Sequence, residues 1–214
     1  MGPFGTTLHS DRVGPRLDCV SSSAKVIYLR SYGDRDRDDH DVVRVVLDAT
    51  VELLRDESFD DLTTRRIADK AGVSHSDLCV YFRSKDAIVA EVYLGLLRDA
   101  PLGVDVEESA QTRVVGLFNQ LVMLLAEQPG LAAACSSAMI SQEPSVQAIR
   151  RRIHAELHRR VRTVLRSGAW PEVAQTLEFG LVGAMVQASS GSATFQGMAD
   201  ELARVVTTLL PDGS

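Results

Sequence analysis

The sequence predicts an all-α fold, in which an N-terminal three-helix helix-turn-helix domain precedes a larger helical C-terminal domain. Apolar residues recur at the three- and four-residue spacing of an α-helix through most of the chain after residue 41. No segment shows the apolar and polar alternation that is typical of a half-buried strand. Two short helical segments flank the turn Ala71-Gly72-Val73, which completes the helix-turn-helix pattern.

Composition limits the class of protein. The chain has 214 residues, of which 45% are hydrophobic, so a packed core in one or two domains is expected. The net charge of -6 argues against a chain that is coated in nucleic acid, although a small basic contact face remains compatible with it. Cys19, Cys79 and Cys135 are widely spaced and odd in number, which favours a reducing compartment without disulfides. No signal peptide or membrane span is evident, so we expect a cytoplasmic protein that does not bind a membrane.

The first 38 residues differ from the rest of the chain. Glycine, proline and serine punctuate them, and residues 34–39 alternate between aspartate and arginine before ending in a second aspartate. Such a segment cannot bury enough apolar surface to offset the entropy of ordering it, so we expect residues 1–38 to form a disordered arm. Its arginines leave DNA minor-groove contact open as an alternative, although acidic residues sit beside them.

The helix-turn-helix domain is predicted over residues 39–86. Its first helix, 41–56, has an apolar stripe on one side. Thr63 is a good N-cap for the second helix, which ends near residue 71. Gly72 follows, where the chain leaves the helix with a positive φ that glycine alone adopts without steric cost.

The third helix begins after its N-cap Ser74 and ends near Tyr81, and Ser84 caps the fourth helix. In a helix-turn-helix the second short helix enters the DNA major groove, and free N–H groups at helix starts favour phosphates. The exposed positions at these helix starts and along the third helix are therefore candidate DNA contacts: Thr63, Thr64, Arg65, Ser74, His75, Ser76, Asp77, Val80 and Lys85.

Three runs in this segment are specific in combination: Leu-Thr-Thr-Arg-Arg-Ile-Ala at 62–68, Ala-Gly-Val-Ser at 71–74, and Tyr-Phe-Arg-Ser-Lys-Asp at 81–86. They resemble the DNA-binding domain of the TetR family of bacterial transcriptional repressors. The resemblance implies that Tyr81 and Lys85 contact phosphates, that the partner is a double-stranded DNA operator, and that the protein is a homodimer which responds to a small-molecule effector.

The sequence departs from the family pattern at three places. Ser76-Asp77 replaces a small residue followed by threonine, Cys79 replaces a tyrosine, and Ser58 replaces a glycine. A carboxylate on the DNA face is repelled by phosphates unless it accepts a hydrogen bond, for example from cytosine N4. Asp77 is therefore interpreted either as a specificity residue or as a helix cap that points away from DNA. Cys79 is interpreted as a packing residue, with a redox sensor as the alternative.

Residues 87–214 are predicted to form a helical ligand-binding and dimerisation domain. Pro129 and Gly130 are expected to separate its second and third helices. With the fourth helix of the chain as the first in this series, the predicted helices span 84–99, 109–127, 131–140, 144–168, 171–189 and 193–210.

The last two predicted helices are apolar on more than one side, so they need cover from a second surface in addition to their own core. The resemblance implies that this cover is a second copy of the chain, in a four-helix interface. The residues predicted to form it are Leu177, Leu181, Ala184, Met185, Phe195, Met198, Leu202 and Val206.

An effector pocket is predicted between the fourth and eighth helices. Aromatic or flexible side chains with a few polar groups suit a small apolar ligand. The candidate lining residues, for which ordinary core packing is the alternative, are Phe118, Asn119, Met123, Met139, Trp170 and Phe179.

The sequence therefore predicts a sequence-specific DNA-binding regulator, a repressor released by an effector. The alternative is a dimeric ligand-binding or protein-partner module with a weakened DNA head, suggested by Asp77 and Cys79. No catalytic constellation is evident, so we expect neither an enzyme nor a cofactor. His154 and His158 have a spacing that can bind a metal, but no third ligand lies nearby in sequence and no metal is expected. Arginines crowd the seventh predicted helix, which is interpreted as a solvated face, with an anionic ligand as the alternative.

Overall fold

The computed structural model describes residues 32–103, 105, 107–166 and 171–210, with side chains from residue 41 onward. All regular elements in these residues are helices, which confirms the predicted all-α fold, and none of the helices is long and apolar enough to cross a membrane. The helices are α1 (Tyr32–Asp56), α2 (Thr64–Ala71), α3 (His75–Tyr81), α4 (Lys85–Asp99), α5 (Ala110–Met123), α6 (Pro129–Ile140), α7 (Pro144–Leu165), α8 (Pro171–Ser189) and α9 (Phe195–Leu209).

Helix α1 begins at Tyr32, nine residues before the predicted start at Asp41. No glycine or proline interrupts the chain from residue 34 to residue 56, so nothing in the mixed-charge run stops the helix from extending. Residues 32–38 of the predicted disordered arm are therefore helical, and residues 1–31 lie outside the described part of the chain.

Helices α1 to α3 form a small domain, the head, around a compact apolar core. Leu54, Ile67 and Leu78 are each at most 2% exposed and belong to the hydrophobic core. Burying one such side chain contributes about 1.5–3 kcal/mol. The turn between α2 and α3 has the expected left-handed glycine, because Gly72 has a φ of 68° and the N–H of Val73 donates to the carbonyl of Ala68 at 3.0 Å. This pair of features is the Schellman ending of a helix, and it fixes the direction in which α3 leaves.

Helices α5 to α9 form the body, and α4 packs against both the body and the head. Helix α5 ends at Met123, before the predicted residue 127, and α6 begins at Pro129. Pro129 and Gly130 therefore form the first turn of α6 and do not separate two helices, because proline is well tolerated at the first helical position. A Cβ on Gly130 would collide with the carbonyl oxygen of Leu54, so α6 meets the end of α1 backbone to backbone.

A buried arginine fixes the C-terminal end of α4 to α7. Arg160 is 1% exposed, and its Nη2 donates to the carbonyl oxygens of Arg98 at 3.1 Å and Ala100 at 2.8 Å. Its Nε donates to Glu156 Oε1 at 2.7 Å. The last carbonyls of a helix lack partners within the helix, so this side chain supplies donors that α4 would otherwise take from water.

Candidate DNA-contact surface, cavity and partner face

Two of the predicted DNA contacts bind each other inside the head. Thr64 is only 6% exposed, and its Oγ1 lies 2.9 Å from His75 Nε2 in a hydrogen bond. His75 also lies against Cys79, with Nε2 at 3.7 Å from Sγ. This contact joins the first turn of α2 to the first turn of α3, so it orients α3 and leaves the Thr64 hydroxyl turned away from solvent.

The N-terminus of α3 is capped by a network of short polar side chains. Ser74 Oγ accepts from the backbone N–H of Asp77 at 3.0 Å and donates to Asp77 Oδ2 at 2.6 Å. Ser76 Oγ lies 2.9 Å from Ser74 Oγ. The Asp77 carboxylate is thus turned back onto the start of its own helix, where the helix dipole favours a negative charge. The sequence left Asp77 either as a specificity residue or as a helix cap, and this arrangement is the helix cap.

The remaining contacts on α2 and α3 lie at the surface. Thr63 caps α2 by accepting from the backbone N–H of Arg66 at 3.2 Å, while its own residue stays exposed. Arg65 is exposed in the first turn of α2. Val80 is 72% exposed on α3. These residues give the head an exposed face of hydroxyls, one guanidinium and one isopropyl group.

Lys85 fixes the start of α4 to the loop before α2. Its Nζ donates to the carbonyls of Phe59 at 2.7 Å and Asp60 at 3.3 Å, and it lies 4.4 Å from the centroid of the Phe59 ring. An ammonium group has three donors, so these bonds still leave one for a further acceptor. Tyr81, the other residue expected to contact phosphate, is half-buried at the end of α3. The sequence motif identified Lys85 but did not indicate its bond to the loop.

The body contains a small, almost wholly apolar cavity between α4, α6, α7 and α8. Its volume is about 40 Å³, so it has space for only a few water molecules. Much of its wall comes from Tyr93, Cys135, Met139, Ile153, Leu157 and Met185, with the exposed His154 beside them.

A hydrogen bond in the cavity wall joins Tyr93 to Met185. Tyr93 is 5% exposed, and its hydroxyl donates to the sulfur of Met185 at 3.1 Å. Burial, with a smaller contribution from Cys135, raises the pKa of the Tyr93 hydroxyl far above its ordinary value. Burial also raises the pKa of the Cys135 thiol to about 12. Both groups are therefore neutral at physiological pH.

Among the predicted pocket residues that the structure describes, only Met139 lines this cavity. Phe118 lies in the core at 1% exposure, Asn119 is exposed, and Met123 is 37% exposed at the end of α5. Helix α5 turns these polar and flexible residues outward because another face of the helix fills the core. An apolar pattern that surrounds a helix shows that the helix is covered but gives no direction for the cavity.

The other two predicted pocket residues lie elsewhere. Phe179 is 68% exposed on α8 and lines a groove between α8 and α9. Trp170 lies outside the described residues.

The predicted dimer residues are on the expected helices but mostly face the chain's own core. Phe195 and Met198 are half-buried. Six are buried within the chain: Leu177, Leu181, Ala184, Met185, Leu202 and Val206. The exposed face of the same two helices contains a groove whose lining includes the polar residues Gln187 and Glu201. Its apolar lining includes Phe179, Gly180, Gly183, Met198 and Val205. We call these five residues the α8–α9 face. Helix α8 is apolar on both sides, so its sequence could not separate the inner side from the outer one.

The remaining candidate site is the pair His154 and His158, whose spacing along α7 can bind a metal. His158 Nδ1 lies 2.7 Å from Glu178 Oε1, and this histidine is therefore paired with a carboxylate on α8. Within the described residues, no group of three or more histidine, cysteine or acidic side chains could hold a metal.

Known bacterial regulators are similar to this chain in sequence. Residues 46–92 match the family model of bacterial regulatory proteins, tetR family. Uncharacterized HTH-type transcriptional regulators of Mycobacterium tuberculosis strain H37Rv and Mycobacterium bovis are each 39% identical over 178 residues, which are 82% of this chain and 84% of those proteins.

Solved structures share the fold at lower identity. A TetR transcriptional regulator from Rhodococcus sp. RHA1 superposes with a TM-score of 0.71 at 18% identity, covering 83% of this chain and 100% of that one. Thermus thermophilus FadR, a TetR family repressor in complex with lauroyl-CoA, has a TM-score of 0.62 at 17% identity, covering 80% of this chain and 95% of that one. The motifs, the helical architecture and the mycobacterial relatives together show that this chain belongs to the TetR family of bacterial transcriptional regulators.

Proposed function

We propose that this regulator is a homodimeric repressor that leaves its DNA operator when a small apolar molecule opens the cavity in the body. The supporting observation is the position of Tyr93, which lines the cavity and belongs to α4. The same helix begins at Lys85, directly after the recognition helix. A movement of the cavity wall is therefore also a movement of the helix that supports the head.

The size of the cavity supports release by a ligand. Typical ligand pockets have volumes of about 300–1,000 Å³, whereas this cavity has about 40 Å³. A ligand must displace helices in order to enter, so it binds an expanded body better than the closed one. Because a ligand shifts an equilibrium by its differential affinity, such a ligand moves the population away from the closed state. We assign operator binding to the closed state.

Another protein with this fold binds a molecule that carries an acyl chain. Thermus thermophilus FadR was solved in complex with lauroyl-CoA. The apolar lining of the cavity in this chain is compatible with a ligand whose buried part is similarly apolar.

On DNA, we assign the exposed side chains to two roles. Thr63, Arg65, Tyr81 and Lys85 contact phosphates, since they lie at the starts of α2 and α4 and at the end of α3. Ser74, Ser76 and Val80 face the base edges from α3, where a valine methyl suits the methyl group of thymine. The Asp77 carboxylate caps the start of α3 and is assigned no contact with a base. Thr64 and His75 position α3 through their mutual hydrogen bond.

A second copy of the chain covers the α8–α9 face in this proposal. Phe179 exposes 68% of its surface there, and Gly180 and Gly183 allow a partner helix to approach closely. Substituting Phe179→Glu should produce a folded monomer in sedimentation experiments, because it places a charge on an apolar surface. An unchanged dimer mass would contradict this assignment.

Selection from a random duplex DNA pool tests the proposal directly. The purified protein should enrich a near-palindrome whose two halves lie about one DNA turn apart, with affinity that falls as salt rises. Arg65→Ala should weaken binding to all sequences and reduce the slope of log affinity against log salt by about 0.9. Ser76→Ala should instead change the preferred sequence.

Arg162→Ala is the matched control for Arg65→Ala. Arg162 is an exposed arginine near the end of α7, about 26 Å along that helix from Ser145, whose hydroxyl contacts Ser84 at the start of α4. Its loss should leave affinity and salt slope unchanged. If a folded dimer enriches no sequence, the ligand-binding module with a weakened head becomes the favoured function.

A further inference from the structure

We propose that the effector is an uncharged, mainly aliphatic molecule with one hydrogen-bond acceptor, and that this acceptor takes the Tyr93 hydroxyl from the sulfur of Met185. This inference rests on the proposed function, because it assumes that the cavity is the effector site. It adds the chemical class of the ligand and the residue that recognises it.

The lining excludes a buried charge on the ligand. No lysine, arginine, aspartate or glutamate lines the cavity. Burial raises the pKa values of Tyr93 and Cys135, so both stay neutral, and His154 is exposed to solvent. A carboxylate or ammonium group that entered this space would lose its hydration without gaining a counter-charge. A neutral ligand has no such penalty.

The Tyr93 hydroxyl is the one deeply buried strong donor among the residues around the cavity. Ser136 and Ser189 also line it, but both are half-buried. Within the described residues, the Tyr93 hydroxyl donates to the thioether of Met185, which is a weak acceptor. A ketone, ester or ether oxygen is a stronger acceptor. Exchange of the sulfur for such an oxygen therefore favours a ligand that carries one.

The exchange also breaks a contact between two helices. Tyr93 belongs to α4 and Met185 to α8, so their hydrogen bond joins the helix that supports the head to a helix of the body. A ligand that takes the hydroxyl removes this bond while it expands the cavity. Recognition of the acceptor and movement of α4 are thus the same event.

The methionines in the wall allow the expansion. Met139 and Met185 are unbranched and flexible, and both line the cavity. Their side chains can repack around an aliphatic chain of variable length. The acceptor at Tyr93 then fixes the orientation of the ligand, and the methionines adapt to its shape.

Three series of probes test the proposal on the full-length protein. These are the linear methyl ketones 2-octanone, 2-decanone and 2-dodecanone, the alkanes of the same lengths, and the carboxylates of the same lengths. Binding is measured by calorimetry without DNA, and release is measured from the operator enriched by selection. We expect at least one ketone to bind more tightly than its alkane and its carboxylate, and to release the operator.

Tyr93→Phe keeps the ring and removes the donor. It should weaken ketone binding by about tenfold, which is the scale of one net hydrogen bond. It should leave alkane binding unchanged. Met185→Leu removes the competing sulfur at similar volume, so it should tighten ketone binding several-fold. Met139→Leu is the matched control, because it removes a thioether of the same wall that does not bond to Tyr93.

The inference would be overturned by carboxylates that bind as tightly as ketones, or by an equal ketone-to-alkane affinity ratio in the wild type and Tyr93→Phe. Absence of binding by every ketone would overturn it as well. Each of these can occur while the protein still enriches an operator, in which case the DNA-binding proposal stands. Failure to enrich any operator concerns the proposed function alone, because ligand binding is measured without DNA.

Discussion

The reading face of the head, by which we mean the exposed side chains of α3 and its N-cap Ser74, and the cavity of the body are built from opposite kinds of contact. At the start of α3, Ser74 and Asp77 bond to each other across three residues of sequence. In the cavity, Tyr93 contacts Met185 across 92 residues, and most of the wall is apolar packing between four helices. The shape of the reading face is therefore set locally, whereas the shape of the cavity depends on how helices sit relative to one another. In the proposed mechanism, a ligand moves the head as a unit without changing the surface that contacts DNA.

A few contacts join α1 and α4 to α6 and α7 of the body. Arg160 ties the end of α4 to α7, and α6 meets α1 at Gly130. Ser84 at the start of α4 lies against Ser145 at the start of α7. Each of these contacts can be removed singly, with a different expected effect.

The largest effect is expected from Arg160→Met. The substitution fills similar space but removes the donors from the carbonyls of Arg98 and Ala100. Loss of one partner from a buried ionic network should lower the free energy of unfolding by about 3 kcal/mol. Chemical denaturation followed by circular dichroism measures this change.

Arg159→Met is the control, since Arg159 bonds to the same Glu156 but is 55% exposed. Exposed ion pairs contribute about 0–1 kcal/mol, so this variant should remain close to wild type. Equal destabilisation by the two variants would mean that the bonds of Arg160 to α4 contribute nothing measurable.

Gly130→Ala should have the next largest effect. Its new Cβ would collide with the carbonyl oxygen of Leu54, and a backbone atom cannot rotate away as a side chain can. Overpacking of this kind costs about 1–3 kcal/mol, and here it also pushes α1, and with it the head, away from α6. We expect a lower unfolding free energy and weaker operator binding in the same variant.

Gly116→Ala isolates the collision from the change of residue type. Gly116 lies in α5 with no atom near the position of a new Cβ, so alanine there should stabilise the helix by up to about 1 kcal/mol. A Gly130→Ala protein that is as stable as Gly116→Ala would remove the proposed close contact between α1 and α6.

The head could be predicted closely from the sequence because its structure follows local rules. Thr63, Ser74 and Ser84 are N-caps as predicted, and Gly72 has the predicted positive φ. Each of these features depends on residues within four positions of it. The Thr64 to His75 bond was missed because it spans the turn, where no periodic pattern operates.

The body could be predicted only as far as its helices. Helix α8 starts at Pro171 and ends at Ser189 as predicted, but Leu177 and Leu181 face the core while Phe179 faces solvent. An apolar residue on every side of a helix is compatible with either orientation. Only the packing of other helices against α8 decides which side is inner, and that information is distributed over the whole chain.

A smaller effect is expected from Ser74→Ala in the head. The variant loses the hydroxyl that caps α3 and the bond that turns the Asp77 carboxylate back, which should lower the unfolding free energy by about 1 kcal/mol. The freed carboxylate should also weaken operator binding through repulsion from phosphates. Ser76→Ala removes a neighbouring hydroxyl that does not cap the helix, so its stability should stay within about 0.5 kcal/mol of wild type.

Ser145→Ala should have the smallest effect on stability. The Ser145 hydroxyl lies 3.2 Å from Ser84 Oγ, and that oxygen separately accepts from the backbone N–H of Ala87 at 3.1 Å. Removing Ser145 Oγ therefore leaves the cap of α4 intact and should change the unfolding free energy by less than about 1 kcal/mol. The variant is informative when it is compared with Ser84→Ala, which removes both the contact with Ser145 and the cap on the N–H of Ala87.

If Ser145→Ala weakens the response of operator binding to ligand as much as Ser84→Ala does, the serine contact itself carries movement from the body to the head. If only Ser84→Ala does so, the cap of α4 is what matters. In that case the head follows the cavity through the helix axis and through the contact at Gly130, and the polar contact between the two regions is incidental to their coupling.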